Sequence, residues 1–342
     1  MNTKIINERE IDVVKYASDL IKSDELVAIP TETVYGLGGN GLSDKACKKI
    51  FKAKNRPSDN PLILHISEMD DIYRLVESID PEIRRALEFY WPGPLTIILN
   101  KSDIIPDTVT AGGETVAIRM PGTKITRDII KASKVPIAAP SANISGRPSP
   151  TTALDVFKDM DGKIPLIVDG GNSNVGIEST VLDCTCKPRL ILRPGFYSKE
   201  DLEIHFGEVH YDRSIIKEGE IPKSPGQKYK HYAPKGKMKL VLGNKYSVRD
   251  YFKEMAKKCK DKKVALISFE DNRNFSKEFY RFYSLGNRDN LLEMASLIFR
   301  ILRQCDDENI EYILCEGVEE VNLGIGIMNR LKKSSSGNFI HV

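Results

Sequence analysis

Short, continuous apolar runs recur through the first two-thirds of the chain, and each is long enough for one buried strand. They lie at residues 26–29, 62–66, 95–99, 115–119, 137–139, 166–168, 180–182 and 190–192. Between them the apolar residues change rhythm. In residues 44–54, Cys47, Ile50 and Phe51 fall at helical spacing and Lys54 continues their face. Residues 81–90 form a predicted helix with Pro81 in its first turn, where the missing N–H is harmless. Residues 125–132 and 153–160 are two further predicted helices. Strands and helices mixed in this way predict an α/β sheet domain over residues 1–207.

The pattern stops at residues 208–237. That stretch has few aliphatic side chains and carries Pro222, Pro225, Pro234, Gly219, Gly226 and Gly236. A linker of such length is expected to have a function. Beyond it, strands at 239–242, 264–269 and 312–315 alternate with helices at 248–259, 291–304 and 327–332. This βαβ spacing predicts a smaller parallel, Rossmann-like α/β domain over residues 238–342.

Composition narrows the class. The 342 residues suffice for two cores, and 29% charged with 41% hydrophobic residues is ordinary for a globular protein. A net charge of +3 gives no dominant pull towards nucleic acid, although a local basic cleft fits within that total. No apolar run approaches the ~20 residues of a membrane span, and the N-terminus turns polar too early for a signal peptide. Cys47, Cys184, Cys186, Cys259, Cys305 and Cys315 form no CxxC pair, which suits reduced thiols in a cytoplasmic protein. The sequence has no HExxH, GxxxxGK[ST] or GxGxxG, so neither a P-loop nor a dinucleotide fingerprint is present.

Candidate chemistry gathers where predicted strands end, the usual place for ligands in α/β sheets. Pro30-Thr31-Glu32-Thr33-Val34-Tyr35-Gly36-Leu37 follows the first run. It suits either a polar pocket or a strand-to-helix loop whose side chains cap the next element. Lys54-Asn55-Arg56 ends a helix, where the macrodipole alone favours cations. The turn Pro57-Ser58-Asp59-Asn60-Pro61 after it is held by two prolines and suits a phosphate clamp. His65 lies within an apolar strand, as satisfied core histidines do. Arg119 ends another strand and could fork onto a carboxylate or phosphate, or form a surface salt bridge. Ser141-Ala142-Asn143 and Ser145-Gly146-Arg147-Pro148-Ser149 follow Ile137-Ala138-Ala139 as a pocket loop or a plain one. Small residues from Asp169 to Thr180 suit a backbone approached by ligand or a hairpin. Gly324-Ile325-Gly326-Ile327-Met328-Asn329-Arg330 is expected to open a helix after its glycines, with Asn329 and Arg330 structural.

Taken in order, these segments resemble the threonylcarbamoyl-AMP synthase family, the YrdC-like proteins, in its long two-domain form. The resemblance rests on Pro30 to Leu37, Lys54 to Leu62, Ser141 to Ser149, Val175 to Val181, Arg193-Pro194-Gly195, and the linker Ser224 to Pro234. It extends over the chain from Ile11 to about Gly337. Gln227 stands where the family usually has methionine, and Lys230 where it usually has arginine; lysine keeps the charge but lacks the planar fork.

The resemblance implies an open, twisted mixed sheet in the first domain and the following activity. L-threonine, bicarbonate and ATP give L-threonylcarbamoyl-adenylate and pyrophosphate, with magnesium carried by the ATP phosphates and no protein metal site. Lys54 and Arg56 would be catalytic, meeting the phosphates. Thr33, His65, Arg119 and Ser179 would bind threonine. Arg56, Asn60, Ser141, Asn143, Ser149, Arg193 and Tyr232 would bind ATP, with the 208–237 linker as lid. The product would pass to a tRNA threonylcarbamoyl transferase complex, so contact with tRNA would be indirect. Two other readings stand beside it. One is a non-catalytic RNA-binding protein using the Lys/Tyr/His linker as a stacking strip. The other is carbamoyl transfer in hydrogenase maturation, which the missing acylphosphatase-like and zinc-finger segments oppose.

Overall fold

The apolar runs of the first two-thirds assemble into one mixed sheet in the computed structural model, which describes residues 2–212, 232–259 and 262–342. Most of the expected linker, including Gln227 and Lys230, lies outside the described residues. The chain divides into two compact units. The first is Met1–Ser145, Ser149–Asn174 and Glu178–Tyr229; the second is Gly146–Pro148, Val175–Ile177 and Lys230–Val342.

The strands of the first unit are β1 (Lys4–Asn7), β2 (Val27–Ile29), β3 (Gly36–Asn40), β4 (Ile63–His65), β5 (Leu95–Asn100), β6 (Thr115–Arg119), β7 (Ile137–Ala138), β8 (Leu166–Asp169), β9 (Thr180–Asp183), β10 (Arg189–Arg193) and β11 (Val209–Tyr211). They hydrogen-bond in the order β1-β8-β2-β3-β7-β4-β6-β5-β9-β10-β11. Its helices are α1 (Val13–Lys22), α2 (Asp44–Lys54), α3 (Pro81–Leu87), α4 (Asp107–Thr110), α5 (Lys124–Ser133), α6 (Ala153–Met160) and α7 (Lys199–Phe206). Side-chain alternation along β2 separates two cores. Val27 and Ile29 join Val13, Ala17 and Ile21 of α1 and Ile129 and Ile130 of α5. Ala28 faces the larger core, with Ile50 and Phe51 of α2, Val156 and Met160 of α6 and Leu202 of α7.

Two expectations change here. Residues 30–35 lead into β3, antiparallel to β2, so the loop joins strand to strand rather than strand to helix. Periodicity hides β3 because Gly36, Gly38 and Gly39 fill it. A Cβ on Gly38 would meet Ile137 Cγ2 at 2.9 Å and the Val27 carbonyl oxygen at 3.1 Å, so glycine is what fits between β2 and β7. The small-residue stretch after β8 is no hairpin, since β8 and β9 lie far apart in the sheet.

The second unit carries β12 (Lys237–Leu242), β13 (Val264–Ser268), β14 (Arg281–Ser284), β15 (Tyr312–Glu316) and β16 (Phe339–His341), all parallel, in the order β14-β13-β15-β12-β16. Its helices are α8 (Lys245–Lys258), α9 (Leu291–Asp307) and α10 (Leu323–Ser334). Gly324 and Gly326 lie inside the start of α10 rather than before it. A Cβ on Gly324 would sit 2.1 Å from the Glu319 carbonyl oxygen, so this helix begins against backbone that only glycine admits.

Candidate active site

The α2 C-terminus separates the basic pair. Asn55 adopts the left-handed conformation (φ 51°) and stops the helix. Lys54 therefore stays on the buried face while Arg56 departs with the turn. Lys54 is 1% exposed, and its Nζ donates to the carbonyls of Ser141 and Asn143, the latter at 2.6 Å. Arg56 is half-buried, and its Nη2 donates to the Asn60 and Pro61 carbonyls at 3.2 and 3.1 Å. One ammonium thus shapes the loop after β7, and one guanidinium shapes the Pro57–Pro61 turn. Asn60 is buried with its Oδ1 unpaired. Ser141 Oγ donates to Asn143 Oδ1 at 2.5 Å, and Asn143 Nδ2 donates to the Ile144 carbonyl.

A second cluster forms around Arg119, the last residue of β6. Its Nη1 donates to Thr33 Oγ1 at 2.9 Å, Nη2 to Glu32 Oε1 at 2.6 Å, and Nε to the Gly93 carbonyl at 3.2 Å. Of the two alternatives for Arg119, the surface salt bridge is excluded: its partner is a carboxylate in a largely buried ion pair, with side chains 5% and 17% exposed. Burial pushes the Glu32 carboxyl upward, but Arg119 outweighs it and the net shift is downward, so Glu32 stays ionised. His65 is the register partner of Arg119 on β4. Burial, then the Arg119 charge, presses its pKa down to about 3, which leaves a neutral imidazole at physiological pH. Its Nδ1 is buried and unpaired.

Ser179 precedes β9. Its Oγ lies 2.7 Å from Thr96 Oγ1 and accepts from Arg193 Nη2 at 3.0 Å, while Arg193 Nε donates to the Ser179 carbonyl. Ser149 Oγ donates to Glu178 Oε1 at 2.6 Å. Two backbone links join the clusters: Ala142 N–H donates to the Tyr35 carbonyl, and Thr180 N–H to the Pro94 carbonyl beside Gly93. Lys54, Arg56, Asn60, Ser141, Asn143, Ser149, Thr33, His65, Arg119, Ser179 and Arg193 all belong to the first unit. Tyr232 belongs to the second, where its ring stacks on Phe299 at 5.1 Å with the Arg330 guanidinium 5.8 Å away.

The site-residue set from sequence omits Glu32, Thr96 and Glu178. Thr96 does leave a signal, a single hydroxyl within the apolar strand Leu95–Asn100. Glu32 and Glu178 lie inside the motifs, but nothing in their spacing reveals the partners. Among the described residues, no group of three or more His, Cys, Asp or Glu could hold a metal ion, and no helix is long and apolar enough to cross a membrane.

The first unit is thus a mixed sheet with cationic side chains folded onto loop carbonyls and hydroxyls. Residues 19–195 match the Sua5/YciO/YrdC family profile, described as telomere recombination, and residues 197–336 match the threonylcarbamoyl-AMP synthase C-terminal domain. The chain is 44% identical to a threonylcarbamoyl-AMP synthase of Pyrococcus abyssi, over 99% of this chain and 100% of the relative. It is 40% identical to one from Bacillus subtilis, over 96% and 94%. The crystal structure of P. abyssi Sua5 complexed with L-threonine superposes with a TM-score of 0.93 at 43% identity, covering 99% of this chain and 100% of that one. The chain belongs to the threonylcarbamoyl-AMP synthase family, in its two-domain form.

Proposed function

We propose that this protein is an L-threonylcarbamoyladenylate synthase, a nucleotidyltransferase serving the threonylcarbamoyladenosine modification of tRNA. One observation carries the reading: the near-complete match in sequence and fold to Sua5, a protein solved with L-threonine bound. In the reaction, the threonine amine and bicarbonate give a carbamate and water. A carbamate oxygen then attacks the α-phosphorus of ATP, forming the mixed anhydride and releasing pyrophosphate.

Each residue has a proposed part. Thr33, His65, Arg119 and Ser179 hold threonine, with Arg119 facing its carboxylate and the neutral His65 accepting or donating without adding charge. Asn60, Ser141, Asn143, Ser149, Arg193 and Tyr232 hold the nucleotide. Bringing a carbamate anion up to a polyphosphate requires cations. Lys54 and Arg56 supply them, preorganised by their hydrogen bonds to loop carbonyls. No general base is assigned; positioning and charge neutralisation carry the step. Magnesium arrives on the ATP phosphates, octahedral and largely hydrated. The first residues of the expected 208–237 linker belong to β11; a lid role for the rest has a chemical purpose, because carbamates and acyl-adenylates hydrolyse in water. The product passes to a tRNA threonylcarbamoyl transferase complex in the cytoplasm, and tRNA is met indirectly.

The RNA-binding reading is less favoured. The relatives similar over nearly the whole chain are synthases, and the net charge is only +3. Incorporation of labelled bicarbonate into an adenylate tests the proposal. Label should appear with L-threonine and ATP, and be absent with D-threonine. Equal labelling without threonine would sink it.

A further inference from the structure

The second unit includes two short pieces of chain that are far from it in sequence, Gly146–Pro148 and Val175–Ile177. One helix, α9, holds both. Four of its residues, Ser296, Phe299, Arg303 and Asp306, follow one another at spacings of three, four and three, so they share a face. Between them they meet three segments of the chain, 146–148, 175–177 and 232–235. Arg303 Nη2 donates to the Pro148 carbonyl at 2.6 Å. Asp306 Oδ1 accepts the Lys235 N–H at 2.7 Å, and the Arg147 guanidinium lies 3.9 Å from its Oδ2. Phe299 stacks on Tyr232, whose neighbour Ala233 donates its N–H to the Gly146 carbonyl. Gly176 packs so closely on the helix that a Cβ there would lie 2.3 Å from Ser296 Cα.

This face is not ordinary core. A separate buried stripe, Met294, Ile298, Leu302 and Cys305, is apolar throughout. The Arg303/Asp306 face instead buries two charged residues at 2% and 3% exposure. Ionised groups are costly to bury, and their return comes as directional hydrogen bonds that fix backbone position. The segments so fixed are covalently next to proposed ligand contacts. Gly146–Pro148 runs between Asn143 and Ser149, and Val175–Ile177 leads into Glu178 and Ser179.

We infer that α9 is a splint for the substrate loops, in which Arg303 is a positioning residue for the nucleotide segment 143–149 and the Gly176–Ser296 contact positions the threonine segment 177–179. This rests on the proposed function and gives the second unit a role in that same site. It also separates the two substrates. Loosening Pro148 should weaken ATP binding through Asn143 and Ser149 more than threonine binding, which it reaches only through the Ser149–Glu178 hydrogen bond. Displacing Gly176 should do the reverse through Ser179.

The test uses the full-length chain and titration calorimetry with ATP and with L-threonine separately, alongside steady-state KM values. Arg303→Met should raise the ATP dissociation constant and KM by about tenfold, the equivalent of one charge-assisted hydrogen bond, with threonine binding affected far less. Arg303→Lys, which keeps a donor, should recover part of that loss. Gly176→Ala, which adds a clash at positive φ (75°), should weaken threonine binding by at least about tenfold and ATP binding far less. A fall in melting temperature with both ligand constants unmoved, or both constants moving together in every variant, would overturn the splint. If Arg303→Met does not fold, Arg303→Lys and Gly176→Ala still decide the matter. Wild-type protein that binds neither ligand would instead remove the functional reading beneath it.

Discussion

Lys54 shows how one residue can serve the fold and the proposed chemistry. Its ammonium ties the Ser141 and Asn143 carbonyls, so Lys54→Ala leaves buried acceptors short of a donor. We expect a stability loss of about 1–3 kcal/mol in urea titrations and a fall in turnover of order 10²-fold or more. Arg119→Lys keeps the charge but cannot meet Thr33, Glu32 and Gly93 together. Threonine affinity should drop by about tenfold or more in calorimetry, with ATP affinity affected less. His65 gives a pH signature. Its folded pKa of about 3 lies below the ordinary 6.5, so the unfolded chain takes up a proton that the folded one refuses. Stability is therefore full above about 6.5 and falls as the pH drops from there towards 3. Urea midpoints at pH 7.5 and 5.5 should show that slope in the wild type and a shallower one in His65→Asn. At this scale the sequence displayed residue types but not partners. A lone arginine at a strand end was visible, whereas its burial against Glu32 depends on residues 87 positions apart in the chain.

Most elements with a clear apolar run or stripe are legible in the sequence; the exception is Val13–Lys22, whose Val13, Ala17 and Ile21 stripe was overlooked. Asp44–Lys54, Thr115–Arg119 and Ala153–Met160 have the expected bounds because an apolar stripe or run defines each one. Lys4–Asn7, Gly36–Asn40, Val209–Tyr211 and Phe339–His341 have no such signal; tertiary pairing makes them strands. Val13–Lys22 and Lys199–Phe206 were also missed. The second has apolar residues too few to mark a face, and a Ser198/Asp201 capping box starts it. The Arg193-Pro194-Gly195 segment offers a test at the level of elements. A Cβ on Gly195 would sit 2.4 Å from Thr180 N and 2.6 Å from the Ser179 carbonyl carbon. Gly195→Ala should force Ser179 away from Thr96 and Arg193, costing about 1–3 kcal/mol of stability in urea titrations and lowering threonine affinity.

Across the whole molecule, the two rhythms of the sequence mark two α/β domains, whereas the full eleven-stranded and five-stranded sheets include strands that only tertiary pairing makes. Sequence alone could not reveal that Gly146–Pro148 and Val175–Ile177 pack with the second unit, because those contacts join residues far apart in the chain, such as Pro148 and Arg303. The account of the protein as a carbamate-adenylating enzyme is tested most directly by pyrophosphate release from ATP, with threonine and bicarbonate omitted in turn. Release should require both. Release that continues without threonine, or no release beside salt-sensitive RNA binding, would contradict it.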